Sequence, residues 1–165
     1  MKLAAGLSFA AAIVLFVTIP IVQACLGLEA FAFGSKWSYG EEALRAALGN
    51  TPPKAPLVVV PVLFPLDLLL LIFLGLALAL CSVAHAEALG VPRSQVALLL
   101  ILPVAYMVAD LSENMLYSGM LIWQESIDRL IGVAGWATRI KLVAVALAIL
   151  QALAALVMWW RGGGH

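Results

Sequence analysis

Four long apolar runs dominate the chain, and shorter polar stretches separate them. The runs cover about residues 3–22, 57–84, 95–118 and 140–160. A helix needs about 20 mostly apolar residues to cross the hydrocarbon core of a membrane, and in lipid it must satisfy its own backbone hydrogen bonds. The alternating pattern of barrel strands is absent from the sequence. The pattern therefore predicts an all-α integral membrane protein, one domain of residues 1–165 folded as an antiparallel four-helix bundle.

Two of the polar stretches, residues 23–56 and 119–139, lie on the side opposite both termini, which we call the far side. In the first, residues 41–48 predict a short helix between two glycines. In the second, residues 119–131 predict an amphipathic helix on the membrane surface or capping the bundle, which serves as a half-buried connector or as a gate. Its apolar residues recur at helical spacing: Trp123, Ile127, Leu130 and Ile131.

Composition supports the same class of protein. Hydrophobic residues make up 65% of the chain and charged residues 11%, whereas soluble domains have about 25% charged residues. The mean hydropathy is +1.11. The formal net charge is zero and no run rich in lysine and arginine occurs, which argues against a nucleic-acid-binding surface. Membrane lipids are therefore the expected partners.

No cofactor or metal is expected. The only histidines, His85 and His165, fall on the terminal side, so a haem held by two histidines inside the bundle lacks its ligands. The Cys/His spacing of common metal sites is absent from the sequence. Cys25 and Cys81 fall near opposite ends of the predicted spans, further apart than the roughly 7 Å that a disulfide bridges. Both cysteines are therefore expected to be free.

The first apolar run also has features of a cleaved signal peptide. Lys2 precedes it, and Val22, Ala24 and Cys25 resemble a cleavage or lipoprotein site. Gln23 fits such a site poorly, and the run is longer than a usual signal core. The sequence therefore favours a retained first helix, and the signal-like start favours a cytoplasmic N terminus. The slight excess of lysine and arginine on the far side favours the opposite orientation.

Ionisable residues inside the apolar runs mark the candidate site, because a charge near hydrocarbon is costly unless it is paired or faces water. In the third run, Asp110, Glu113 and Asn114 have the spacing i, i+3, i+4, which places them on one helix face. Further turns of that face add Tyr106 and Tyr117. The third run therefore carries a polar stripe along an otherwise apolar helix.

Three more ionisable residues are expected at the depth of this stripe. Counted from the turn at residues 85–94 at about 1.5 Å per residue, Asp67 lies about 25 Å along its helix and Asp110 about 22 Å along the next. Arg139 and Lys141 begin the fourth run from the far side. Three acids and two bases therefore converge in the far-side leaflet. One excess negative charge remains, and an acid is expected to hold a proton there.

Two features predict how the helices pack. Pro103 has no backbone N–H, so the carbonyl group of Leu99 loses its usual partner and a kink is expected. In the fourth run, small residues follow Lys141 on one face, which favours close packing with that lysine pointing inward. They are Ala144, Ala148, Ala152 and Ala155.

Three stretches together carry a family resemblance. They are Pro65-Leu66-Asp67-Leu68-Leu69, Asp110-Leu111-Ser112-Glu113-Asn114 and Thr138-Arg139-Ile140-Lys141. In this order they resemble a group of small, uncharacterised bacterial membrane proteins with a D-x-x-E-N motif in the third helix. The resemblance covers the last three helices loosely. It implies a four-helix membrane protein and no particular activity. The expected location is the bacterial cytoplasmic membrane.

Three functions are compatible with the candidate residues. The favoured one is a water-filled cavity open to the far side that binds a small polar solute, an ion or a lipid headgroup. There Lys141 and Arg139 hold an anionic group, or Asp110 or Glu113 holds a cation or exchanges protons. The absence of an inverted repeat and of a broken helix pair disfavours a conventional secondary transporter.

The two alternatives use the same residues differently. In the first, they form an interhelical polar network that sets helix register, since membrane hydrogen bonds contribute only about 0.6 kcal/mol on average. In the second, Asp110 or Glu113 is the general acid or base of an intramembrane lipid-modifying enzyme. Ser112 points away from the polar stripe, so this alternative lacks an obvious nucleophile.

Overall fold

A computed structural model describes residues 2–28, 42, 44–46, 54–88 and 90–162. This part of the chain is helical and contains no strand. It has four helices long and apolar enough to cross a membrane, as the apolar runs predict. Residues 42 and 44–46 of the short helix predicted at 41–48 are helical. The rest of that segment, His165, and the side chains of His85 and Ala155 lie outside the described residues.

The long helices are α1 (Lys2–Leu26), α2 (Leu68–Ala88), α3 (Arg93–Ile122) and α4 (Ile127–Gly162). α1 ends at Gly27, whose φ of 63° is the left-handed conformation that glycine adopts without steric cost. The N–H of Leu28 then donates to the carbonyl oxygen of Gln23 at 2.7 Å, which satisfies one of the last carbonyls of the helix. Both cysteines are free.

The second span begins differently from the prediction. A regular α-helix was expected from about residue 57, but α2 begins at Leu68, and Val58–Asp67 is an irregular segment that we call the proline segment. Val60 and Phe64 have extended φ/ψ values of −130°/118° and −128°/114°. Each precedes a proline through a cis peptide bond. The steric clash of a proline ring with the preceding residue disfavours helical backbone there, and apolar length alone does not reveal this.

The loop between α3 and α4 is shorter than the polar stretch predicted at residues 119–139. No separate amphipathic helix spans residues 119–131, because α3 runs to Ile122 and α4 begins at Ile127. Only the 3₁₀ helix Gln124–Ser126 lies between them. Ile127 is fully buried, while Trp123 is 60% exposed. The helical spacing of the apolar residues therefore belongs largely to the first turns of α4.

Helix packing gives the bundle a central core. α3 packs on both α2 and α4, α2 also contacts α4, and α1 packs on α2 and the proline segment. A side chain at Gly75 would collide with Met107, so α2 and α3 approach closely at that level. The core at this level contains Leu78, Tyr106, Ala144 and Ala148. Ala144 and Ala148 are buried, which confirms the predicted packing face of α4.

A second cluster closes the far-side end of the bundle, and we call it the far-side core. The loop between α1 and the proline segment, called here the first loop, contributes to it. The fully buried members of the far-side core include Leu28, Leu44, Met120 and Ile127, and Val58, Val62 and Tyr117 are further buried members. Arg45 of the first loop pairs with Asp128 at the start of α4. Lys54 donates to the carbonyl oxygen of Gly27 at 3.0 Å. The described residues Leu44, Arg45 and Lys54 of this loop therefore contact the ends of the helices.

Candidate functional site

The polar stripe of α3 faces the interior of the bundle. Asp110, Glu113 and Asn114 are each 3% exposed, and Tyr106 and Tyr117 are also buried. Their common face follows from the helical repeat, since residues three and four apart lie above one another. The apolar residues Val108, Leu111 and Met115, between the members of the stripe, are exposed on the outer surface. The helix therefore presents its polar face to protein and its apolar face outward.

Asp67 joins this face from the end of the proline segment. Asn114 Nδ2 donates a hydrogen bond of 2.7 Å to Asp67 Oδ2. The contact links the start of α2 to α3 across 47 residues of sequence. Counting residues places Asp67 near the level of Asp110, and the structure brings Asp67 into contact with Asn114, one helical turn after Asp110.

Lys141 lies between two carboxylates. Its Nζ atom is 3.1 Å from Asp110 Oδ1 and also pairs with Glu113 Oε2. The lysine side chain is 12% exposed, and the two acidic side chains are 4% exposed. Two contacts to carboxylates occupy the ammonium group, so little of its charge remains available to another anion.

Thr138 is a site residue that sequence reasoning missed. Its hydroxyl donates to Glu113 Oε1 at 2.6 Å and also lies 3.0 Å from the carbonyl oxygen of Ala134. Thr138 is fully buried and stands three residues before Lys141, so both point toward α3. That spacing was the available signal. We define the polar cluster as these two residues, the acids that they contact and the neighbouring Asp67–Asn114 pair. Its members are Asp67, Asp110, Glu113, Asn114, Thr138 and Lys141.

Arg139 does not belong to the polar cluster, contrary to the prediction. Its guanidinium group lies 5.2 Å from the centre of the Trp136 ring. Its Nε atom is buried and has no hydrogen-bond partner among the described residues. Residues two apart on a helix do not share a face, so Arg139 and Lys141 point to different sides. Proximity in sequence was misleading here.

Leaving Arg139 out changes the charge balance of the site. The polar cluster holds the carboxyl groups of Asp67, Asp110 and Glu113 and one ammonium group, that of Lys141. With every group ionised, two negative charges are uncompensated, where the sequence predicted one. Uncompensated charge away from water is costly, so the site favours taking up a cationic group or protons.

A cavity of about 470 Å³ borders the polar cluster. Its volume falls within the roughly 300–1,000 Å³ typical of small-molecule sites. All members of the polar cluster except Thr138 line this cavity, and Tyr106 and Tyr117 line it as well. The remaining walls are mostly apolar and come from α1, the proline segment, α2 and α4. The cavity therefore has one polar region within an apolar enclosure.

Among the described residues, packing covers the far-side end of the cavity, where the sequence predicted an opening. Val58, Val62 and Tyr117 line it at that end, and all three are buried members of the far-side core. Beyond them lie the fully buried side chains of Leu28, Leu44 and Met120. The loop residue Leu44 could not be assigned to this position from sequence, because its contacts depend on the tertiary fold.

A second polar network lies deeper in α4. Gln151 Nε2 donates to the Leu99 carbonyl oxygen at 2.9 Å and to Ser82 Oγ at 2.6 Å. Ser82 in turn donates to the carbonyl oxygen of Leu78 at 2.8 Å. Pro103 frees the Leu99 carbonyl of its helical partner, as predicted, and the Gln151 amide satisfies it. This network joins α2, α3 and α4.

Replacing Gln151 with leucine is expected to lower the free energy of unfolding by about 1–3 kcal/mol, because the Leu99 carbonyl then loses its donor. The second substitution Pro103→Ala restores a backbone N–H four residues after Leu99. In that background Gln151→Leu is expected to cost clearly less. Detergent unfolding of both single variants and the double variant measures the coupling. Strict additivity would contradict the assignment of Gln151 as the replacement partner.

Among the described residues, no group of three or more His, Cys, Asp or Glu side chains could hold a metal ion. The hydroxyl of Ser112 donates to the carbonyl oxygen of Val108 at 2.7 Å, away from the polar cluster. Ser112 is therefore not positioned as a nucleophile for this site.

Four helices long and apolar enough to cross a membrane are consistent with a multi-pass membrane protein. The particular family remains open, since the chain matches no protein-family model, no curated protein and no solved structure. Function must therefore be inferred from the chemistry of the cavity and the polar cluster.

Proposed function

We propose that the protein is an antiparallel four-helix membrane bundle that binds a positively charged group of a small molecule at its polar cluster. Two contacts support the antiparallel order: Lys141 meets Asp110, and Gln151, further along α4, meets Leu99, which is earlier in α3. On this proposal the N terminus is cytoplasmic, as the signal-like start of the chain favours. The resemblance described above favours a bacterial cytoplasmic membrane.

The single observation that carries the proposal is the charge balance beside the cavity. Three carboxyl groups and one ammonium group border a space large enough for a small molecule. Lys141 contacts Asp110 and Glu113, while Asp67 has Asn114 as its hydrogen-bond partner. The amide supplies a dipole but no positive charge. Asp67 is therefore the carboxyl group best placed to contact a cationic ligand.

The same geometry argues against an anionic ligand. An anion would need Lys141 or Arg139, the two bases assigned to that role from sequence. Lys141 is engaged by two carboxylates, and Arg139 is absent from the cavity lining. An anion would also approach three acidic groups, and like charges repel strongly where the dielectric constant is low.

The test uses two probes with similar tails and opposite charges, decyltrimethylammonium and decanoate. The protein is purified in decyl maltoside, which is uncharged, and bound probe is counted by native mass spectrometry during a titration. We expect one decyltrimethylammonium to bind per chain and decanoate to bind more weakly. Asp67→Asn should weaken binding of the cation about 10- to 100-fold, because it removes the attraction between the carboxylate and the ammonium charge, which is about 1–4 kcal/mol at a separation of about 4 Å.

The matched control is Ser112→Ala, which changes a hydroxyl on the other side of α3 and should leave binding unchanged. Asp67→Asn keeps an oxygen that accepts from Asn114, so the fold is expected to survive the substitution. Equal binding of the two probes, or equal affinity of wild type and Asp67→Asn for the cation, would rule the proposal out.

A second candidate function, a purely structural polar network, is favoured by the contacts between helices. Asn114 ties α3 to the residue before α2, and Thr138 and Lys141 tie α4 to α3. A network of this kind would set the register of the bundle without needing a ligand. It predicts that removing the charges as a group destabilises the protein, which the ligand-binding function does not require.

A further inference from the structure

The exposed part of the cavity lining lies on two helices. Most lining side chains are buried or half-buried, and the exposed ones are Phe16 and Pro20 on α1 and Ile149 on α4. α1 packs on α2 and the proline segment, and among the described residues it has few contacts with α4. α1 and α4 therefore flank an opening on the lateral surface of the bundle.

The surface around this opening is apolar. On α1, side chains such as Ile13 and Val17 are more than half exposed, and on α4 the same holds for Leu153, one turn after Ile149. In a membrane this surface faces lipid tails. A molecule that passes between α1 and α4 therefore comes from the lipid phase.

Among the described residues, packing covers both ends of the cavity. The far-side core lies at one end, with Met120 and Ile127 fully buried. Toward the termini, Leu78, Ala144 and Ala148 pack together, and Gln151 ties α4 to α2 and α3. The lateral opening is the route that the described residues leave free.

We infer that the ligand is a single-chain amphiphile with a cationic headgroup, which enters sideways from the lipid between α1 and α4. This inference rests on the proposed binding of a cationic group. The headgroup lies at Asp67 of the polar cluster. The apolar tail lies along the side chains of Leu70, Leu74 and Val145 toward the opening. A soluble cation without a tail would leave these walls unfilled and would have to cross the lipid to reach them.

The experiment compares decyltrimethylammonium with tetramethylammonium, which has the same charged group and no tail. We expect tetramethylammonium to bind more than roughly a hundredfold more weakly, because each buried methylene adds about fourfold to the affinity measured from water. Ile149→Trp replaces an aliphatic side chain at the opening with a larger aromatic one. It should weaken binding of decyltrimethylammonium roughly tenfold. Leu150→Trp, an equally large change at a neighbouring exposed site outside the cavity lining, should leave binding unchanged.

The outcomes separate this inference from the proposed function. If tetramethylammonium binds as tightly as decyltrimethylammonium, or if Ile149→Trp behaves like Leu150→Trp, the amphiphile and its lateral route are wrong while the cation site stands. If decyltrimethylammonium binds no better than decanoate, the proposed function itself fails. Should Ile149→Trp not fold, Phe16→Trp on the opposite side of the opening tests the route in the same way.

Discussion

Replacing Lys141 with methionine is expected to lower the free energy of unfolding by about 3–5 kcal/mol. The lysine ammonium lies between Asp110 and Glu113, whose side chains are 4% exposed. Lys141→Met leaves the two carboxylates close together with no cation between them. Removing one partner of a buried ion pair is costly, because the uncompensated charge stays buried. Unfolding in mixed detergent micelles, followed by circular dichroism, measures the loss.

The matched control is Arg139→Met, which removes the same charge two residues earlier. Arg139 contacts the Trp136 ring and not the polar cluster, and such a cation–π contact contributes about 0.5–1 kcal/mol at a partly exposed position. Arg139→Met should therefore cost no more than about 1 kcal/mol. Equal losses in the two variants would mean that Lys141 does not compensate the buried acids.

The number and approximate positions of the long helices could be predicted because membrane spans depend on a simple quantity, the length of an apolar run. The polar face of α3 was equally accessible. The spacing of Asp110, Glu113 and Asn114 fixes their common direction once the segment is helical, whatever else surrounds it. The alanine face of α4 was predictable for the same reason. Each of these features is set by the period of a single helix.

Features that depend on local backbone sterics or on two helices at once were harder to predict. The apolar run at 57–84 hid the proline segment, since Val60 and Phe64 are apolar and only their position before prolines reveals the extended backbone. Arg139 was placed by sequence distance although the helical period separates it from Lys141. Thr138 was missed because a threonine in a membrane helix often bonds only to its own backbone.

The closure of the far side illustrates a limit of a different kind. Polar loops usually stay on the surface, and nothing in residues 23–56 indicates that Leu44 is fully buried against the ends of the helices. The sequence predicted a water-filled cavity open to the far side, which requires that residues 23–56 leave the far-side ends of the helices uncovered. The burial of Leu44 covers that end of the cavity, and the exposed lining residues lie on α1 and α4 instead. Of the ligands expected from the sequence, a polar solute, an ion or a lipid headgroup, the inferred lateral route favours the last, as part of an amphiphile.

Neutralising the three charged partners together is expected to reverse most of the loss caused by Lys141→Met. The variant D110N/E113Q/K141M keeps the side-chain volumes but leaves no charge on these three residues. Replacing all members of a buried ion pair by hydrophobic residues of similar volume is often neutral or stabilising. Asparagine and glutamine likewise leave no buried charge, and their amide groups can donate and accept hydrogen bonds. If the side chain at position 113 no longer accepts a hydrogen bond from the Thr138 hydroxyl, that hydroxyl can still donate to the Ala134 carbonyl oxygen. We therefore expect stability within about 1 kcal/mol of the wild type.

This variant separates the two functions that compete for the polar cluster. A ligand site requires charge and tolerates a cost to the fold, so the neutral variant should be stable and should bind decyltrimethylammonium more weakly. Binding weakens because the three substitutions remove one net negative charge beside Asp67, while Asp67 itself is unchanged. A structural network requires the contacts, so the neutral variant should then be as unstable as Lys141→Met. Unfolding and binding measured on the same preparation decide between them, because only the structural network predicts a large loss of stability.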